Sequence, residues 1–250
     1  MIALFGLSIG WVFFYLAITL LAFTVATTLG VGGPLILLPF LMLNFSSSQS
    51  VAIVVPVLFA NNLTRVVLFR KCIQLAPALK VGMSALPFAF IASFLTGTIP
   101  PYLIKSFIVL AIAFPLVSQY LFQYKPYVNN RALSLWGIAI GFISGLTGTA
   151  GPPMAIAFRG NGLVLMKFVA TVALLQTSLQ LVRLPVYFST GLITIKTFSL
   201  ASVLAVASVL AVYLGKKILS QLNPNSFRVY LDLLLGLIGL TMLVSLLKSL

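Results

Sequence analysis

Apolar residues run along this chain in long blocks separated by brief polar connections. A helix needs about 20 apolar residues to cross the hydrocarbon of a bilayer. Blocks near that length lie at 7–28, 51–69, 76–98, 103–124, 133–147, 162–188, 197–215 and 227–247. Two shorter stretches, 34–43 and 152–158, follow glycine-rich breaks and are too short to cross. Connections such as Asn44–Gln49 and Lys125–Arg131 leave no room for a soluble domain. Aromatic residues gather at block ends (Trp11, Phe13, Phe14 and Tyr15; Tyr120, Phe122, Tyr124 and Tyr127), where interfacial belts form. The pattern predicts an all-α polytopic membrane protein in one domain, 1–250.

The polar interruptions repeat. Gly30-Val31-Gly32-Gly33-Pro34-Leu35 matches Gly148-Thr149-Ala150-Gly151-Pro152-Pro153 at an offset of 118 residues. At the same offset Arg65 falls on Arg183 and Asn62 on Gln180, and Pro101–Lys105 resembles Pro224–Arg228 with the offset grown to 123. Each half reads as a glycine break, a helix with a polar centre and an arginine, another helix, a proline turn and a last helix. Repeats of about 7–124 and 133–247 follow, a common construction of secondary transporters.

Composition sharpens the class. Of 250 residues 61% are hydrophobic and only 6% charged, with a mean hydropathy of +1.20. A soluble domain carries roughly 25% charged residues, so this chain lacks the surface to face water. The net charge of +14 comes from basic residues spread singly between apolar runs, which excludes a nucleic-acid binder and suits the lysine and arginine excess of cytoplasmic loops. Asp232 is the sole acid, Cys72 the sole cysteine, and histidine is absent. A metal site of ordinary ligands, a nucleophilic triad and a carboxylate pair cannot be assembled from that set. No cofactor, metal or enzyme activity is expected.

Charge placement selects a topology. With 7–28 and 133–147 as full crossings, Arg159, Lys167, Lys216, Lys217 and Arg228 fall on the outer face. With 7–43 and 133–158 as hairpins that enter and leave one side, nearly all basic residues become cytoplasmic, as the positive-inside rule requires. Only Lys105, Lys196 and Lys248 then lie outside. Each repeat becomes a glycine-broken helix or hairpin plus three transmembrane helices, and that odd number of crossings inverts one repeat relative to the other.

Backbone that leaves a helix inside a bilayer must be buried in protein or line a wet cavity. Glycine permits the turn, and proline suits the first turn of a helix. Gly33-Pro34 and Gly151-Pro152 therefore read as starts of half-helices, whose free N–H groups and positive dipole ends make an anion seat. The competing role for such glycines is close helix packing, as for Gly141-x-x-x-Gly145. Gly32 and Gly148 belong to the same two breaks. The segments Thr28–Leu41 and Gly145–Met154 resemble the twin signatures of the sulfite exporter TauE/SafE family, with Pro34 in place of a third small residue and Ala150 in place of a glycine. That resemblance implies a permease of about this length with a duplicated core, acting on sulfite, sulfonates, sulfoacetate or related anions.

An ionisable residue at membrane depth is a functional candidate by default. Arg65 shares its block with Asn61 and Asn62, and Arg183 shares its own with Gln176, Thr177 and Gln180. The guanidinium fork suits an oxyanion. Each arginine also lies four or five residues from a block end, near enough to snorkel to the interface. The amides read as cavity lining. Asp232, four residues after Arg228, reads as an intrahelical partner for it, with proton transfer as the alternative. The function that follows is a secondary permease for a small anion working by alternating access. Its competitors are an anion channel with a continuous pore and a non-transport membrane subunit. Partners are the anionic substrate and the lipid bilayer of the cell (inner) membrane, without nucleic acid and with a homo-oligomer left open.

Overall fold

The computed structural model describes residues 3–4, 7–95 and 128–247. They form nine α-helices, preceded by a two-rung antiparallel pairing of β1 (Ala3–Leu4) with β2 (Leu7–Ser8). The block at 103–124, with Lys105, Lys125 and the Tyr120–Tyr127 aromatics, lies outside the described residues.

Helix α1 (Ile9–Leu29) ends at Gly30, in the left-handed region at φ 84°, and the chain turns through Gly32 at φ 107°. Helix α2 (Gly33–Leu41) then runs back along α1. The Tyr15 hydroxyl donates to Phe40 O at 3.4 Å and accepts from Asn44 Nδ2 at 2.7 Å, so the two ends of the hairpin meet. Tyr15 is thus wholly buried and is no belt residue, unlike its neighbours Trp11, Phe13 and Phe14, which face outward. The second hairpin repeats the plan. Helix α5 (Asn130–Thr147) ends at Gly148 (φ 78°), and α6 (Gly151–Gly160) returns. Val128 N donates to Gly160 O at 3.0 Å, and Asn161 Nδ2 donates to Val128 O at 2.9 Å.

The remaining helices are α3 (Ser47–Leu68), α4 (Leu75–Phe94), α7 (Leu165–Ser189), α8 (Ile195–Leu219) and α9 (Pro224–Leu247). Capping boxes start α3 at Ser46/Gln49 and α8 at Thr194/Thr197, satisfying N–H groups that a bilayer interior would leave bare. Among the described residues, α1, α3, α4, α7 and α8 are long and apolar enough to cross a membrane. Their outer faces carry side chains such as Met83 (78% exposed), which suit contact with lipid.

Packing follows an exchange pattern. Helix α1 lies parallel to α8, with Thr28 Oγ1 3.5 Å from Gly215 O, and α4 lies parallel to α5, with Val81 at the level of Gly137 and Ala89 at the level of Gly145. Helices α3 and α7 are the two most buried of the long helices and run antiparallel down the centre. Asn62 meets Gln176 near one end, and Ala52 and Val55 cluster with Tyr187 near the other. Swapping the halves exchanges the α1–α8 seam with the α5–α4 seam and returns the α3–α7 seam to itself.

Charge sorts to the two ends. Arg70, Lys71, Lys80, Arg131, Arg159, Lys167, Lys216, Lys217 and Arg228 lie at one end of the bundle, Lys196 at the other. Asp232 pairs with Arg159 at the end of α6, and not with Arg228, which is exposed. Helical spacing pointed to the wrong partner because the end of α6 brings its own cation, Arg159, to Asp232 through tertiary folding. The glycine stripe of α5 packs as expected of it. A Cβ on Gly145 would lie 2.7 Å from Ala89 O, and one on Gly137 2.6 Å from Val81 O, so the two backbones touch.

Candidate functional site

The tips of the two hairpins abut at the centre of the molecule. A Cβ on Gly151 would sit 3.2 Å from Val31 Cβ and 3.7 Å from Gly32 N. In α2 the helical ladder begins with Ile36 N donating to Gly32 O at 3.0 Å, which leaves the N–H groups of Gly33 and Leu35 outside it, Pro34 having none. In α6 it begins with Met154 N and Ala150 O at 3.1 Å, and Pro152 and Pro153 leave only the Gly151 N–H in that turn. The two helix starts are thus unequal in free N–H groups.

The glycines also pack closely. A Cβ on Gly30 would lie 2.8 Å from Phe168 Cδ1, one on Gly32 2.9 Å from Leu234 Cδ2, one on Gly33 3.0 Å from Ala26 Cβ, and one on Gly148 2.9 Å from Val51 Cγ1. At Gly30, Gly32 and Gly148 the positive φ adds a second reason for glycine. Turn and close packing therefore coincide at the breaks, and the space of the missing side chains is taken by neighbouring hydrocarbon.

Both arginines are buried, each 1% exposed, and neither reaches an interface. Snorkelling fails because both side chains turn inward onto backbone carbonyls of the hairpins. Instead, each arginine grips the last turn of a hairpin's first helix. Arg65 Nη1 donates to Ala26 O at 3.0 Å and Gly30 O at 3.2 Å, and Arg183 Nη1 donates to Ser144 O at 2.5 Å. Ala26 and Ser144 are themselves 118 residues apart. Carbonyls of a helix's last turn form the negative end of its dipole, so a guanidinium is well placed there, even at Ser144 O, which also accepts from Gly148 N at 3.0 Å. Tyr187, one turn beyond Arg183, adds a bond from its hydroxyl to Gly145 O at 3.0 Å.

The amides divide. Asn62 accepts from Arg65 Nη2 and donates from Nδ2 to Gln176 Oε1 at 2.9 Å, which joins α3 to α7. Asn61 faces the other way and donates to Ser208 O of α8 at 2.9 Å, outside the pair of arginines. Thr177 bonds back to Ala173 O of its own helix at 2.8 Å. Gln180 is wholly buried with neither amide atom bonded among the described residues, and Arg65 Nε and Ser144 Oγ are likewise unpartnered. The structure therefore brings together Gly32, Gly33 and Pro34 with Gly148, Gly151 and Pro152, and sets Arg65, Asn62, Gln176, Gln180 and Arg183 on the helices around them. Sequence reasoning missed Ser144 and Tyr187. The first was findable as the repeat mate of Ala26, and the second lies at helical spacing from Arg183.

Two guanidiniums are thus buried beside paired helix breaks in an apolar, basic bundle. Residues 15–242 match the family of the sulfite exporter TauE/SafE. The chain belongs to that family. No curated protein and no solved structure matches it. Membership makes the chain a multi-pass membrane protein and a transporter of sulfur-containing anions, and the apolar helices agree.

Proposed function

We propose that the chain is a secondary permease of the inner cell membrane that moves a small sulfur oxyanion or organosulfonate by alternating access between two inverted repeats, 7–124 and 133–247. One observation carries the reading. Arg65 and Arg183 are buried in the centre, and the only carboxylate side chain in the sequence, Asp232, is already paired with Arg159. Backbone carbonyls offset part of the charge, but two cations out of water without a counter-ion favour binding an anion between them. The N–H groups of Gly33, Leu35 and Gly151, with the side chains of Arg65, Gln180 and Arg183, would supply the contacts.

The antiparallel run of α3 and α7, which occupy matching places in the two halves, supports inversion. The basic end of the bundle supports a cytoplasmic position for both the 70–80 and the 216–226 connections. Burial of Gly33, Arg65, Gly151 and Arg183 supports an occluded site that opens by rocking one half against the other. A membrane potential negative inside drives anions outward by about 2.3 kcal/mol per charge per 100 mV, so export needs no coupling ion. The test is flux into proteoliposomes against a panel of sulfite, thiosulfate, sulfate, taurine and sulfoacetate. Saturable flux with mutual competition is expected, and linear, non-competing flux would assign a channel instead.

A further inference from the structure

We infer that Gln180 reads a hydrogen-bond donor on the substrate, so that the site takes a singly charged oxyanion or sulfonate that still carries an O–H or N–H group. The inference rests on the anion-permease reading above and deepens it. Gln180 is wholly buried, and neither Oε1 nor Nε2 has a partner among the described residues. Turning the amide over changes nothing, because either way it offers donors at one end and an acceptor at the other. Native structures rarely leave both halves of a buried amide unmet, and such a group calls for a functional account.

Its position supplies one. Gln176, Gln180 and Arg183 follow each other at helical spacing on one face of α7. Gln176 accepts from Asn62, which holds Arg65, and Arg183 holds the Ser144 carbonyl of hairpin 2. Gln180 thus lies between the two guanidinium systems. Its repeat mate Asn62 is bonded at both ends, so the difference belongs to this position and not to the fold. The unpartnered groups Arg65 Nε and Ser144 Oγ, on the two arginine-held assemblies, can serve the oxygens of an anion, as can Gln180 Nε2. Gln180 Oε1 cannot, because a carbonyl oxygen facing an anion's lone pairs is repelled. An O–H or N–H on the substrate turns that repulsion into a bond. A site with a buried group built for such a donor discriminates strongly against the analogue without it.

Methanesulfonate and hydroxymethanesulfonate test this, being monoanions of similar size that differ by one hydroxyl. Thermal-shift titration of the purified full chain should half-saturate at a roughly tenfold lower concentration of hydroxymethanesulfonate. Gln180→Met, which puts an apolar chain of similar length in place of the amide, should raise the melting temperature of the ligand-free protein and bring the two half-saturation points together. Failure of the hydroxyl to improve binding to the wild-type protein would overturn the inference and leave the permease intact. A Gln180→Met protein that misfolds, melts lower or keeps the discrimination would give the amide a structural role and overturn it as well. If the wild-type protein responds to neither sulfonate nor to sulfite, the anion-permease reading itself falls, and this inference with it.

Discussion

The two hairpins share a plan down to the carbonyl that each arginine grips, yet they are built from different chemistry. Hairpin 1 is closed at its mouth by Tyr15, Phe40, Asn44 and Phe45, and hairpin 2 by the Val128 N–Gly160 O bond and the Asn161 side chain, with its return strut tied to α9 by the Arg159–Asp232 pair. At the tips, α2 keeps two N–H groups clear of its ladder where α6 keeps one. Between them, Asn62 is fully bonded and Gln180 is not. Duplicated backbone geometry does not require duplicated side-chain roles. Buried unmet polar atoms occur in both halves, on Thr19, Thr27, Ser50, Asn61 and Arg65 in the first and on Ser144 and Gln180 in the second. Among the described residues, however, Gln180 alone is an amide with neither end bonded.

The glycine breaks give the largest expected effect. Gly32→Leu combines a left-handed φ with overlap against Leu234, and should cost about 2–5 kcal/mol, enough to lose the folded protein. Gly151→Leu, without the positive φ, should cost only about 1–3 kcal/mol and leave protein in the membrane with transport abolished. Membrane yield and melting temperature measured side by side check the order, and equal losses would mean that the tips are packed alike. Next come the arginines. An ammonium cannot reproduce the fork, and losing one charge-assisted bond of about 1.5–3 kcal/mol weakens apparent sulfite affinity roughly ten- to a hundredfold in Arg65→Lys and in Arg183→Lys. Near-normal half-saturation in both would move the anion onto the helix N-termini alone.

Smaller effects separate the two mouths. Tyr15→Phe and Asp232→Asn should each lower stability by about 1 kcal/mol. Only the second loss should shrink in high salt, because it removes a partly exposed ion pair. Melting curves at low and high ionic strength distinguish them. Smallest of all, Thr177→Val should change stability and flux little, within about 0.5 kcal/mol, because that hydroxyl serves its own helix.

Helix positions, the breaks and the glycine packing of α5 were legible because apolar block length and Gly-Pro placement depend on local physics. The arginines were legible as candidates but not in their role. Distance from a block end said that Arg65 could reach an interface, whereas burial depends on the hairpin that folds over it. Asp232 shows the same limit. Its neighbour at helical spacing is Arg228, but its partner lies 73 residues away in the chain and is reached only through tertiary folding. Tyr15 looked like a belt residue because belts and hairpin closures use the same amphipathic ring.

The contact between α4 and α5 has a mechanical consequence. It joins the two halves, and Gly137, Gly141 and Gly145 bring the backbones together once per turn. Shifting α5 by one residue would set Ile138, Phe142 and Leu146 against α4 where no side chain fits. The seam therefore behaves as a keyed joint, able to roll about its length but not to slide along it. Relative movement of the halves is confined to rotation there, and any translation has to be taken up at the α1–α8 contact, where Gly215 is the one glycine in the joint among the described residues. Spin labels at Ser84 and Ser134 should then hold their distance through the transport cycle, while labels at Phe13 and Val206 should not.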